Sequence, residues 1–537
     1  MNYRLLWVCI IISQLSFGQA VIKKTTKPKL VVGIIVDQMR EDFLYRYSNK
    51  YGELGFKRLM NEGFNCRNNQ YHYASTVTGP GHAHVYNGAS PGISGIVGNE
   101  WFDKILKKSM YVVADSTVST IGDGSVAAGK MSPKNMIVTT ICDQMRIASQ
   151  FKSKTVGIAI KDRGAILPAG HTGDAYWFDA VKGNWITSSF YKSALPAWVS
   201  AFNGQKYPEK YISEGWNTLL PIDQYTESEA DDQPYEANIS GEAKAVFPHK
   251  VLSSSLATTY YGNELTTKFA LAALEAEGLG KDADCDFLAV SYSSPDYGGH
   301  AFGPQSVEIE DIYLRLDKNI AELLSSLDAK VGKGNYTVFL TADHGVAEIP
   351  AFLRKHKIPA GIMSIAELSL KAKAILKAKY GEGDFIKSEN NYQLYLNRDL
   401  LEIKKISVAE VHNTLRASMP MEEGILDIVN IADGNNDWLN PAHNAKMKGL
   451  YYPKRSGELM LILEPGWFSG MVKGTTHGTS WSYDTHVPLL FFGAGIHKGS
   501  TFEATYISDI APTLANLLSI LEPNGNMGKS ISEVLKK

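Results

Sequence analysis

Residues 29–37 read KLVVGIIVD and residues 336–343 read YTVFLTAD. Each is an unbroken apolar run of strand length that ends on an aspartate, Asp37 in one and Asp343 in the other. A strand with one face in water alternates apolar and polar side chains, whereas a continuous run is what burial on both faces demands. Thr155–Lys161 (TVGIAIK), Asp286–Tyr292 (DFLAVSY) and Glu458–Glu464 (ELMLILE) have the same form, and Val487–Phe492 adds a further strand. Helical periodicity lies between them, at Glu41–Asn61, Glu308–Ala329 and Val408–Ser418. Strands alternating with helices predict an α/β fold with a mostly parallel central sheet sandwiched between helices. Two stretches break the rhythm: residues 165–245, rich in Gly, Ser, Trp and Tyr, and residues 347–455, which carry helices and strands of their own. Both are expected to be insertions that cap one edge of the sheet.

Composition narrows the function classes. The 537 residues are 44% hydrophobic and 20% charged, which excludes a disordered, collagen-like or repeat-built chain. That length predicts a large domain with insertions, or two domains. A formal net charge of −2 gives no electrostatic footprint for nucleic acid or an anionic membrane surface.

The first twenty residues read as a secretory signal: Arg4, the mostly apolar run Leu5–Phe17, then Gly18-Gln19-Ala20 with small residues at −3 and −1. A bilayer span needs about 20 apolar residues. This run is shorter and is interrupted by Ser13, Gln14 and Ser16, and Cys9 lacks a lipobox before it. The expectation is residues 21–537 as an exported protein, periplasmic or secreted, with no stable membrane anchor. Cys66, Cys142 and Cys285 then allow at most one internal disulfide, and the lack of any Cys-x-x-Cys pair argues against a thiolate zinc site.

Asp37 ends the first strand, Lys161-Asp162-Arg163 the second, Ser294-Pro295-Asp296 follow the third, and Asp343-His344 end the fourth. In an open parallel sheet the functional crevice lies outside the carboxyl ends of the strands. One strand-end aspartate is explained as a helix cap, but four charged endings at one edge share no such explanation. Asp296 and His300 are spaced i, i+4 in DYGGH, which puts both on one side of a helical turn. Asp343 and His344 are adjacent, and His477 sits in the small-residue loop Gly474-Thr-Thr-His-Gly478. With Asp37 the tally is three aspartates and three histidines, enough for two mixed N/O metal sites of the kind that suits zinc. On composition alone His72, His82, His84, His171 and His486 compete, since a single histidine is usually a surface or satisfied core residue.

Thr78 lies in Thr76-Val-Thr78-Gly-Pro-Gly-His82, where Pro80 suits the first position of a following helix. A hydroxyl at a helix N-terminus is either a cap or a nucleophile, and a threonine nucleophile needs a metal to lower its pKa. Lys161 and Arg163, as alternate residues of an extended segment, would converge on one anion, with Asn99 donating to a third oxygen. The alternative for this group is a solvated charged turn.

As an ordered set these motifs resemble the alkaline phosphatase superfamily, most closely the PafA-type exported alkaline phosphatases of bacteria, over nearly the whole of residues 21–537. The resemblance implies two Zn2+ ions, one held by Asp296, His300 and His477 and the other by Asp37, Asp343 and His344. It implies Thr78 as nucleophile, passing through a phosphothreonine, with Asn99, Lys161 and Arg163 on the nonbridging phosphoryl oxygens. Thr78 and Lys161 stand where enteric relatives use a serine and a magnesium site, so no catalytic magnesium is expected. The implied enzyme is a phosphomonoesterase of broad range, a monomer acting on small phosphate monoesters and releasing inorganic phosphate. A nucleotide pyrophosphatase/phosphodiesterase on the same scaffold is the main alternative; Lys161 with Arg163 favours the dianionic monoester over it. A phosphonate hydrolase and a non-catalytic phosphate-binding protein rank lower. A sulfatase is disfavoured, because no Cys/Ser-x-Pro-x-Arg motif stands at Thr78.

Overall fold

The first apolar run forms strand β1 (Leu30–Val36), and every residue of it is buried. The computed structural model describes residues 27–536 apart from 435, 437, 438 and 471, so the expected signal segment lies outside the described residues. In chain order the strands that follow are β2 (Phe64–Gln70), β3 (Glu100–Asp103), β4 (Lys108–Tyr111), β5 (Thr120–Ile121), β6 (Thr155–Ala159), β7 (Asp174–Asp179) and β8 (Asn184–Ser188). Then come β9 (Asp286–Tyr292), β10 (Tyr336–Thr341), β11 (Gly361–Met363), β12 (Ile386–Asn390), β13 (Gln393–Leu396), β14 (Ile425–Asn430), β15 (Leu459–Leu463), β16 (Trp467–Ser469), β17 (Leu489–Gly493) and β18 (Gly499–Tyr506).

The central sheet runs β18-β2-β17-β10-β1-β9-β6-β7-β8-β5. Its middle strands β10, β1, β9, β6 and β7 are parallel, and β17 enters antiparallel to both β10 and β2. The expected α/β class therefore stands, with a mixed but mostly parallel sheet flanked by helices. β1, β9 and β10 are buried at every position, which is why their sequences show no alternation. Burying one Val, Leu or Ile fully is worth about 1.5–3 kcal/mol, and β1 alone contributes six such side chains. Among the described residues no helix is long and apolar enough to cross a membrane.

Several boundaries differ from the sequence reading. Residues 174–188, placed above in the first insertion, are β7 and β8 of the central sheet. Their runs DAYWFD and NWITS carry aromatic and β-branched side chains suited to strands, but polar residues dilute the apolar signal. The Glu458–Glu464 run is β15, which pairs with β13 and β14 in a separate four-stranded sheet of order β12-β13-β15-β14. Continuous apolarity reports burial on both faces but not which sheet is joined. β2 (FNCRNNQ) and the edge strand β18 belong to the same ten-stranded sheet and were concealed by their polar sequences. Helix is interrupted within Glu41–Asn61, where the structure has Phe43–Arg46 and Phe56–Glu62. The other helical expectations correspond to Val307–Leu327 and Val408–Arg416.

Candidate active site

β10, β1, β9 and β6 are neighbours and parallel, so their carboxyl ends bring Asp343-His344, Asp37, Asp296 and Lys161 to one edge. Pro295 starts the helix Ser294–Phe302, which puts Asp296 in its first turn and His300 one turn later. His300 Nε2 lies 3.1 Å from Asp296 Oδ1, and His477 Nε2 lies 3.5 Å from the same oxygen. His344 Nε2 is 3.4 Å from Asp343 Oδ2 and 3.6 Å from Asp37 Oδ1. The six residues thus lie close together: Asp296, His300 and His477 form one possible ligand group, while Asp37 can group with Asp343 and His82 or with Asp296 and His344.

The protonation pattern of the histidines follows from their backbone contacts. His300 Nδ1 donates to Thr475 O at 2.8 Å, His477 Nδ1 to Thr76 O at 2.7 Å and His344 Nδ1 to Gly345 O at 3.0 Å. A ring that donates from Nδ1 keeps the lone pair on Nε2, and all three Nε2 atoms point at the carboxylates. Burial drives the His344 pKa down to about 3, with Asp343 opposing and His477 reinforcing the shift. Burial would raise Asp296, but His300 and Lys161 hold it well below the usual carboxylate range. Asp37 is pushed up by burial and by the charge of Asp343. Asp37 Oδ1, Asp343 Oδ2 and His344 Nε2 are buried without a hydrogen-bond partner. Three converging orphan acceptors are costly in a protein interior and fit a divalent cation bound among them.

Of the competing histidines only His82 is near. Its Nδ1 donates to Thr78 O at 3.0 Å and lies 3.2 Å from Asp343 Oδ2, while Nε2 meets Ser291 Oγ at 2.8 Å. It can group with Asp37 and Asp343, but both its nitrogens are engaged, by Thr78 O and Ser291 Oγ. His171 and His486 are bonded to Asp143 and to the Arg67 carbonyl, and His72 and His84 meet edge to face beside Tyr73.

Thr78 is the first residue of the helix Thr78–Asn87, after Val77 in extended conformation, so Pro80 occupies the third helical position rather than the first. A Cβ on Gly81 would fall 2.3 Å from Asp343 O and 2.7 Å from Asp343 Cβ. That bare surface lets the Thr78 helix lie directly against the Asp343 backbone. Gly81→Ala should therefore push Thr78 away from the ligands. We expect kcat to fall by about 100-fold or more, because misplacement near 1 Å costs that much, with Tm falling as well; unchanged kcat and Tm would show that the approach is not needed.

Lys161 and Arg163 do not sit in an extended segment. Lys161 caps the helix Asp162–Ala169 and Arg163 lies in its first turn. Their side chains take different partners in the same region. Lys161 Nζ bonds Asp37 Oδ2 at 2.7 Å and Asp296 Oδ2 at 2.5 Å, and Arg163 Nη2 approaches Thr78 Oγ1 at 3.4 Å. Asn99 Oδ1 accepts from Gly79 N at 2.6 Å, which turns its amide NH2 away from that bond and leaves it free to donate.

The comparisons with known proteins follow the same lines. The family model described as type I phosphodiesterase / nucleotide pyrophosphatase matches residues 31–487. The alkaline phosphatase PafA of Elizabethkingia meningoseptica is 43% identical over 95% of both chains, and the alkaline phosphatase PhoV of Synechococcus elongatus is 43% identical over 95% of this chain and 93% of its own. A Myroides odoratus protein named calcium-transporting ATPase is also 43% identical, over the full length of both. The crystal structure of wild-type alkaline phosphatase PafA superposes with a TM-score of 0.92 at 42% identity, covering 95% of this chain and 99% of that one. The chain belongs to the PafA-type alkaline phosphatases. As a PafA-type alkaline phosphatase it is a phosphoric monoester hydrolase.

Some features of this phosphatase had no sequence signal. A cleft of about 350 Å3 opens beside His300 and His477 and is walled by Ile365, Asn391 and Tyr392, which lie within residues 347–455, and by Ser469 beyond them. Ser291, which holds His82, reads as one more residue of a buried strand, and nothing in its spacing marks it.

Proposed function

We propose that this chain is an exported, monomeric phosphomonoesterase that uses two zinc ions and a phosphothreonine intermediate on Thr78 to hydrolyse a broad range of small phosphate monoesters. The observation that carries the reading is the set of Nε2 lone pairs of His300, His344 and His477 facing the carboxylates, with the His344 Nε2, Asp37 Oδ1 and Asp343 Oδ2 atoms buried without a partner beside the Thr78 helix. Asp296, His300 and His477 would hold one ion, and Asp37, Asp343 and His344 the other. Bound there, zinc supplies neutralisation of charge on the attacking and leaving oxygens and lowers the pKa of a hydroxyl or water nearby.

The remaining steps belong to the chain. The Thr78 hydroxyl gives up its proton and its oxygen attacks phosphorus as the bond to the leaving oxygen breaks; that oxygen takes up a proton and departs as the alcohol, leaving phosphothreonine. Water then attacks phosphorus from the opposite side, the Thr78 O–P bond breaks, one water proton returns to the Thr78 oxygen and inorganic phosphate is released. The Asn99 amide and the Arg163 guanidinium donate to the nonbridging oxygens as charge gathers there. The Lys161 ammonium, held high by Asp296 and Asp37 against the opposing effect of burial, keeps its positive charge between the two ligand groups. The contacts that can be named all address the phosphoryl group, which favours broad tolerance of the alcohol. The leader-like residues 1–20 support export.

The test pairs the zinc content of the purified chain with kcat/KM for an aryl phosphate monoester and the matching diester. About two zinc per chain and a monoester preference of orders of magnitude are expected. Two zinc with the diester preferred would move the enzyme to the phosphodiesterase branch. A metal-free chain with full turnover would overturn the reading.

A further inference from the structure

Arg163 is held from one side only. Its Nη1 donates to the Tyr111 hydroxyl at 3.2 Å, and that hydroxyl donates in turn to Asp162 Oδ1 at 2.5 Å. Asp162 Oδ1 is itself fixed by the Arg163 backbone N–H at 2.6 Å. Nε has no partner although it is buried, and Nη2 has only the long 3.4 Å contact to Thr78 Oγ1. In a planar guanidinium, Nε and Nη2 form the edge that matches two oxygens of a phosphoryl group, while Nη1 lies on the side next to Cδ. The tied nitrogen is thus the one a bidentate phosphoryl contact leaves unused.

The geometry points to Tyr111 and Asp162 as positioning residues that hold Arg163 with its Nε–Nη2 edge turned toward the phosphoryl group. The inference rests on the reading of Arg163 given under Proposed function. A phenol that donates to a carboxylate becomes a stronger acceptor for the guanidinium, so the two bonds reinforce each other. The pair also removes rotamers that a long arginine side chain would otherwise have to lose when substrate binds. Tyr111 ends β4, whose partner β3 starts at Glu100 directly after Asn99, and Val112 N bonds Asn99 O at 2.9 Å. One hairpin therefore sets two phosphoryl contacts, Asn99 directly and Arg163 through Tyr111. No metal ligand takes part in this chain of bonds.

The experiment is a double-mutant cycle between Tyr111→Phe and Arg163→Ala on the zinc-loaded enzyme, read on an aryl monoester, the matching diester and inhibition by inorganic phosphate. Tyr111→Phe should lower monoester kcat/KM about tenfold, the worth of one charge-assisted hydrogen bond. It should weaken phosphate inhibition by a similar factor and change diester turnover about twofold or less. In the Arg163→Ala background it should have no further effect. Asp162→Asn, which keeps size and backbone contact, should reproduce the loss in part and serves if Tyr111→Phe does not fold. Equal monoester losses with and without Arg163, or equal losses on both substrates, would overturn the inference. If Arg163→Ala itself spared monoester turnover, the phosphoryl role of Arg163 would fail instead.

Discussion

Thr78→Ala should reduce monoester kcat/KM on the order of 10^4-fold or more, since no other hydroxyl replaces a lost nucleophile. The fold should tolerate it. Thr78 is 1% exposed, and its hydroxyl makes only the 3.4 Å contact with Arg163, so little bonding is lost. Zinc content, measured on the same sample, should stay near that of the unaltered chain. Thr78→Ser keeps the oxygen and should retain most of the turnover, and acid quenching during steady state should trap phosphate on residue 78. Thr78→Ala within tenfold of the unaltered enzyme, with metal intact, would mean that water attacks phosphorus directly.

Removing the metal should have an effect of similar size. After prolonged chelation and desalting, turnover should drop at least ~1,000-fold and return with about two equivalents of zinc. Stability should move with it. Without cations, Asp37, Asp296 and Asp343 face one another with Lys161 as the balancing charge, and the orphaned acceptors of Asp37, Asp343 and His344 are left without a partner. A ligand at 1,000 times its Kd stabilises by about 4 kcal/mol, so each tight zinc should raise Tm by several degrees. Full turnover by a chain shown to be free of metal would sink this expectation.

How much of this was legible in the sequence depends on how each residue signals. β1, β9 and β10 are buried on both faces and cannot avoid unbroken apolar runs, so the sheet and its functional edge were readable. Asp296 and His300 show the i, i+4 spacing of a helical turn, and the structure has that turn. His477 carries only a weak local mark, the small-residue loop Gly474–Gly478, which many surface turns share. Lys161 and Arg163 were expected on an extended segment and stand instead at a helix start, because the two look alike over three residues. β15 misled because an insertion can bury a strand as fully as the central sheet does. Tyr111 lies in a polar hairpin, and its partners Asp162 and Arg163 are 51 and 52 positions away, a pairing that only tertiary structure reveals.

The spacing of the ligands along the chain has a mechanical side. Cys66, Cys142 and Cys285 are free thiols, so no covalent cross-link joins distant segments among the described residues. The ligand groups join such segments instead: His300 meets the His477 loop across 175 positions, and the Asp37 loop meets Asp343 across 305, as the Gln38 N–Asp343 bond shows. A staple closing about 100 residues is worth roughly 4.7 kcal/mol in the chain-entropy model, with only about 0.6 more for each doubling. Two ions would thus act as two reversible staples, one of them enclosing the whole second insertion. Metal scarcity would then do more than stop turnover: it would loosen the chain between its most distant parts and expose it to proteases.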